Sequence, residues 1–176
     1  MRGPTRPTGL VVFLLVLALT ACGDEPELPE APMTMELTSE FSDGGPIPLV
    51  YTCDGQEVSP PLTIEGIPEG TESLVLIVDD PDAPSGTFDH WVAFDIDPTD
   101  EIPEGVEELG VAGRNSTGGL GYVGPCPPSG THRYFFRVYA LDTRLGLPEG
   151  ASKAEVLEAV RDHVLAEATL MGTYAR

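Results

Sequence analysis

One stretch constrains this chain more than any other. Leu74-Val75-Leu76-Ile77-Val78 is unbroken apolar sequence, too short for a helix of ordinary length and rich in β-branched residues, so it reads as a strand buried on both faces. It runs directly into Asp79-Asp80-Pro81-Asp82-Ala83-Pro84. A buried strand that ends in three carboxylates is surfacing, either at a site or simply into solvent. Pro81 and Pro84 stiffen the exit, because each fixes its own φ and restricts the residue before it. His90 and Trp91 then open a second strand, Trp91-Val92-Ala93-Phe94-Asp95-Ile96, which places carboxylates and an imidazole at neighbouring strand ends.

The rest of the chain reads as mostly β. Residues 35–39 alternate and form a first strand, Ile47 to Thr52 a second short one, and Leu62-Thr63-Ile64 a weaker one. Asp97 to Gly113, acidic and broken by prolines, is a long surface excursion. Gly113 to Gly130 (GRNSTGGLGYVGPCPPSG) is an ordered, functional loop, since it delivers the strong strand Tyr134 to Leu141. A single helix is predicted over Lys153 to Ala168. Ser152 and Glu155 form its capping box, and Val156, Leu157, Val160, Val164 and Leu165 its apolar stripe, with His163 at the boundary. Ala168 to Tyr174 closes the chain as another strand.

The amino terminus carries an export signal. Arg2 and Arg6 precede a twelve-residue run, Leu10 to Ala21, that is apolar apart from Thr20; it is too short to span a bilayer. Leu19-Thr20-Ala21-Cys22 resembles a bacterial lipobox, with Cys22 as the lipid-modified first residue; the alternative is an ordinary signal peptide cut near Ala21. The predicted organisation is a lipoprotein signal peptide over 1–21, a disordered Pro/Glu-rich tether over 22–34 and one domain over 35–176. Without the leader, 7 basic residues face 29 acidic ones, a net −22. That field excludes nucleic acid and adsorption to anionic lipid, so lipid on Cys22 must hold the protein to its membrane. In an oxidising compartment Cys53 and Cys126 remain as an even pair. A bridge between them would close a loop worth roughly 4 kcal/mol in the chain-entropy model; the alternative is two buried thiols.

Several motifs do not survive inspection. Gly119-Leu120-Gly121-Tyr122-Val123-Gly124 fits the dinucleotide fingerprint in letters only, since a polar loop precedes it and Pro125, Pro127 and Pro128 forbid the helix that must follow. Asn115-Ser116-Thr117 matches a glycosylation sequon by chance in a bacterial lipoprotein. His90 and His132 lack the local spacing of a metal motif, and no serine sits in a nucleophile elbow.

Asp80-Pro81-Asp82-Ala83-Pro84, His90, and Gly124-Pro125 with Gly130, His132, Arg133 and Tyr134 together resemble the phosphatidylethanolamine-binding protein family, also called the Raf kinase inhibitor protein family. Tyr51-Thr52-Cys53-Asp54-Gly55, Ser59-Pro60-Pro61 and Gly124-Pro125-Cys126-Pro127-Pro128 resemble its bacterial and archaeal branch. The resemblance covers about Leu37 to the C-terminus. It implies a β-sandwich with a small cavity for phosphate or a phospholipid head group, lined by Asp80, Asp82, Pro84, His90, Gly124, His132 and Tyr134. Phe88 stands where eukaryotic members often carry tryptophan, and Cys126 where they carry proline, so the rim is altered.

Bare carboxylates repel an anion. His90, His132, the Tyr134 hydroxyl and amides around Gly124 are therefore the expected donors, with Asp80 or Asp82 orienting an imidazole or meeting an ammonium group. The alternative for the same residues is a polar cluster that merely locks two loops together. The expectation is a binding protein of the extracytoplasmic bacterial envelope, without enzymatic activity or cofactor. The competing class is a protein-directed inhibitor of a protease or other envelope protein.

Overall fold

The computed structural model describes residues 34–176, together with Met1 and Gly3. Apart from Met1 and Gly3, the predicted leader lies outside the described residues, as do Cys22 and nearly all of the tether. Eight strands and one helix follow in the order β1 (Glu36–Thr38), β2 (Leu62–Glu65), β3 (Ser73–Asp80), β4 (Phe88–Ile96), β5 (Glu101–Ile102), β6 (Val111–Ala112), β7 (Thr131–Leu141), α1 (Lys153–Val160) and β8 (Val164–Ala175). They form a three-stranded sheet, β1-β2-β5, and a five-stranded sheet, β6-β4-β3-β7-β8, with every pairing antiparallel.

All eight residues of β3 are buried, because its sheet is covered on both sides. Leu74, Leu76 and Val78 face the other sheet and pack with Leu37, Ile64, Trp91, Phe136 and Val138. Val75 and Ile77 face the opposite way, among Val92, Phe94, Val156 and Val160 of β4 and the helix. That explains an apolar run where antiparallel strands usually alternate. The sandwich also needs Gly172 on β8, where a Cβ would lie 2.5 Å from Ile47 and 2.8 Å from Phe41.

Three expectations are corrected. Ile47 to Thr52 is not a strand: Leu49–Tyr51 is a turn of 3-10 helix, opened by Pro48 at φ −56° and closed by Thr52, whose N–H and hydroxyl both donate to the Leu49 carbonyl. The Asp97–Gly113 excursion carries β5 and β6, and Ile102 is driven into the core. The helix begins at the predicted cap, with both halves of the Ser152–Glu155 capping box present, but ends at Val160. Val164 and Leu165 belong to β8 instead and are exposed. There the open edge of β7 offers a full ladder, from Leu141↔Val164 to Thr131↔Ala175, which outweighs a few more residues of helix.

Candidate functional site

The site is built where β3, β4 and β7 end side by side. Alternation along β3 sends Asp79 toward the helix and Asp80 toward the facing sheet. On β4 the register slips. Val78 pairs with Trp91 and Asp79 with Asp89, so His90 is an extra residue in a β-bulge. The bulge lets Trp91 stay in the core while His90 turns to the same side as Asp80, a common use of bulges beside sites.

A cavity of about 160 Å³ lies at this end of the sandwich. Its wall combines Asp80, Ala83 and Pro84 of the β3–β4 turn with Phe88 and His90 of β4. Val123, Gly124, Cys126, Pro127 and Pro128 come from the long loop, and His132 from β7. The volume is below the roughly 300–1,000 Å³ of sites for drug-sized ligands and suits a group of a few heavy atoms. Asp80, His90 and His132 are buried. Asp80 Oδ1 accepts the Asp82 N–H at 2.8 Å, and its Oδ2 lies 2.7 Å from His132 Nδ1. His90 Nδ1 lies 2.7 Å from the Val123 carbonyl. Each imidazole thus has Nδ1 committed, leaving Nε2 as its second ring nitrogen. Burial pushes the His90 pKa below its ordinary value, against the pull of the Val123 carbonyl and the nearby aspartates, so the ring is neutral at pH 7.

Five of the seven residues expected at the site are brought to the cavity wall: Asp80, Pro84, His90, Gly124 and His132. Asp82 is not among them. Its carboxylate grips Arg133 in a bidentate pair, Oδ1 to Nη2 at 2.7 Å and Oδ2 to Nε at 2.9 Å, and also accepts the Arg133 N–H. That partner holds its pKa down to about 2. Tyr134 stands behind His90, ring edge to ring face at 5.2 Å between centroids. Its buried hydroxyl has no hydrogen-bond partner among the described residues, and burial raises its pKa.

The expected division of donors also changes. The Gly124 N–H is already given to Glu57 Oε1 at 3.2 Å. Among the described residues no three metal-ligating side chains converge.

Residues that sequence reasoning missed hold the wall in place. Glu57, in the left-handed region at φ 57°, reaches Gly124 from a loop 67 residues away. Tyr122 donates its hydroxyl to the Tyr51 carbonyl at 2.8 Å. The expected pair Cys53 and Cys126 is bridged, with Cα atoms 5.5 Å apart. Gly124 lies so close to the 51–53 backbone that a Cβ would be 2.9 Å from the Tyr51 oxygen. Nothing in the local sequence marks Glu57. Only the glycine and the cysteines hinted at this contact.

The family model described as "Phosphatidylethanolamine-binding protein" matches residues 37–175. The chain belongs to the phosphatidylethanolamine-binding protein family. A UPF0098 protein of Methanothermobacter thermautotrophicus is 56% identical over 146 residues, covering 79% of this chain and 97% of that relative. A UPF0098 protein of Archaeoglobus fulgidus is 47% identical over 176 residues, but this chain spans only 60% of its length. Among solved structures, a putative phosphatidylethanolamine-binding protein homologue from Chlamydia trachomatis superimposes with a TM-score of 0.79 at 44% identity, covering 82% of this chain and 99% of that one. YbcL of Escherichia coli, described as a member of the mammalian family, superimposes at 0.74 with 30% identity, covering 81% and 98%. The family resemblance and the mostly β sandwich fold expected from the sequence are therefore both borne out.

Proposed function

We propose that this protein binds phosphate or a phosphate-bearing head group in the cavity, without catalysing a reaction on it. The observation that carries the reading is the pairing of two buried imidazoles, each anchored at Nδ1, around a cavity of a few heavy atoms' size. His132, held at Nδ1 by Asp80, and His90, held at Nδ1 by the Val123 carbonyl, each leave Nε2 as the ring nitrogen available to a ligand. The Tyr134 hydroxyl, buried beside His90 without a partner among the described residues, is a third polar group in reserve.

Calorimetric titration of the purified full-length protein with phosphate and with phosphoethanolamine tests this. Saturable binding is expected, weakened at least ~10-fold in His90→Ala, a loss of about 1.4 kcal/mol. The variant's thermal transition shows that it is folded. Unchanged affinity in that variant removes His90 from the site. No heat from either compound turns the assignment to the protein-directed inhibitor.

The same reading places the protein outside the cytoplasm, tethered by lipid on Cys22. It is supported by the leader sequence and by the Cys53–Cys126 bridge, which suits an oxidising compartment. Cys22→Ala is expected to move the protein from the membrane fraction to the soluble fraction. Persistence in the membrane would overturn the anchor.

A further inference from the structure

The hydrogen inventory of the cavity narrows what it can hold. A carbonyl oxygen only accepts, so the 2.7 Å contact with Val123 puts the His90 ring hydrogen on Nδ1. A neutral ring then offers Nε2 as an acceptor and nothing else. The groups packed around it are Asp79 and Asp80 on β3, Asp89 on its own strand, His132 and Tyr134 on β7, and Glu57 behind the long loop. Burial lowers the His90 pKa against the pull of the Val123 carbonyl and the three aspartates. Asp80 is itself buried in the wall, and among the described residues neither arginine nor lysine lines the cavity, although Arg176 Nη1 approaches the wall residue Cys126 to 3.3 Å from its Sγ. A doubly charged phosphate would meet the Asp80 carboxylate and, at His90, a lone pair where it needs a donor. A phosphate that keeps one hydrogen differs on both counts.

We propose that the cavity selects the protonated, singly charged form of a phosphate monoester, whose P–O–H donates to His90 Nε2, and discriminates against phosphodiesters. A diester carries the same single charge but no hydrogen. This rests on the phosphate-binding reading above and narrows it to a ligand class: inorganic phosphate, or a monoester free or at the end of a lipid, but not a diester head group still joined to its lipid.

Two small probes test it on the purified full-length protein, by calorimetry at about pH 5.5, 6.5 and 7.5. Methyl phosphate loses its second proton near pH ~6, as phosphorylated side chains do. If only its monoanion binds, its apparent affinity falls about 25-fold across that range. Dimethyl phosphate is singly charged throughout and is expected to bind at least ~10-fold more weakly than methyl phosphate at the lowest pH. Dimethyl phosphate has no proton to lose in this range, so a pH dependence that the two esters share comes from the protein, and the change in their ratio reports the ligand's own hydrogen. Equal affinities at about pH 5.5, or a methyl phosphate affinity that is flat or rises with pH, would overturn the proposal and leave phosphate binding standing. Silence from methyl phosphate and inorganic phosphate at every pH would overturn both.

Discussion

Tyr134 carries a buried hydroxyl that bonds to nothing among the described residues, and its ring meets that of His90 edge to face with centroids 5.2 Å apart. An unpaired buried polar group costs about 1–3 kcal/mol, and this one lies beside the cavity, where a ligand supplies the missing partner. Tyr134→Phe is therefore expected to stabilise the ligand-free protein by about 1 kcal/mol in denaturant unfolding while weakening phosphate binding in the same titration used for His90. A variant that gains stability at full affinity would leave the hydroxyl without a ligand role. At this scale the sequence was legible where residue type and motif coincide: His90, Asp80 and His132 meet as the motif implied. It was illegible where two like residues compete. Asp80 and Asp82 are two apart in one turn, and nothing local says that the first takes the imidazole and the second Arg133. The Gly124 amide was misread because its acceptor, Glu57, is 67 residues distant.

Among elements, the end of β3 works on both faces of its sheet. Asp80 serves the cavity, while Asp79, buried, meets Arg137 at 2.6 Å and Lys153 at the start of α1, and Lys153 also donates to Asp89 at 2.9 Å. Burial opposes the Lys153 charge, but the two carboxylates outweigh it and hold its pKa above the ordinary value. One ammonium thus ties the helix to the strand pair whose bulge aims His90. Lys153→Met keeps the packing of the stem and removes the charge, leaving Asp79 to Arg137 alone. The expected loss is about 1–3 kcal/mol in thermal or denaturant unfolding. A loss below about 0.5 kcal/mol would show that the network is a solvated surface cluster. Periodicity found β3, β4 and β7 because their packing is dictated by their own apolar runs. It overran the helix because Val164 and Leu165 fit the helical stripe, and only the pairing demand of β7 decides against it.

For the whole molecule, the question is what the Cys53–Cys126 bridge does. It joins positions 73 residues apart and one of its cysteines, Cys126, belongs to the cavity wall, so it could serve stability, site geometry or both. The wall has other ties. Cys53 N–H donates to the Pro125 carbonyl at 3.2 Å, the Gly124 N–H to Glu57 and the Tyr122 hydroxyl to Tyr51, and Gly124 rests on the 51–53 backbone. The 23 to 176 stretch is heavily acidic and repels itself, which makes any constraint on the unfolded chain count for more. These observations assign the bridge to stability. Replacing both cysteines with serine is expected to cost about 2–5 kcal/mol, read as a lower denaturation midpoint that reductant no longer shifts. Well below its melting transition, the double variant is expected to bind phosphate within ~10-fold of the parent, because the hydrogen bonds still hold the wall. If affinity collapses while the midpoint barely moves, the bridge shapes the cavity, and the ties around Gly124 are too weak to hold it alone.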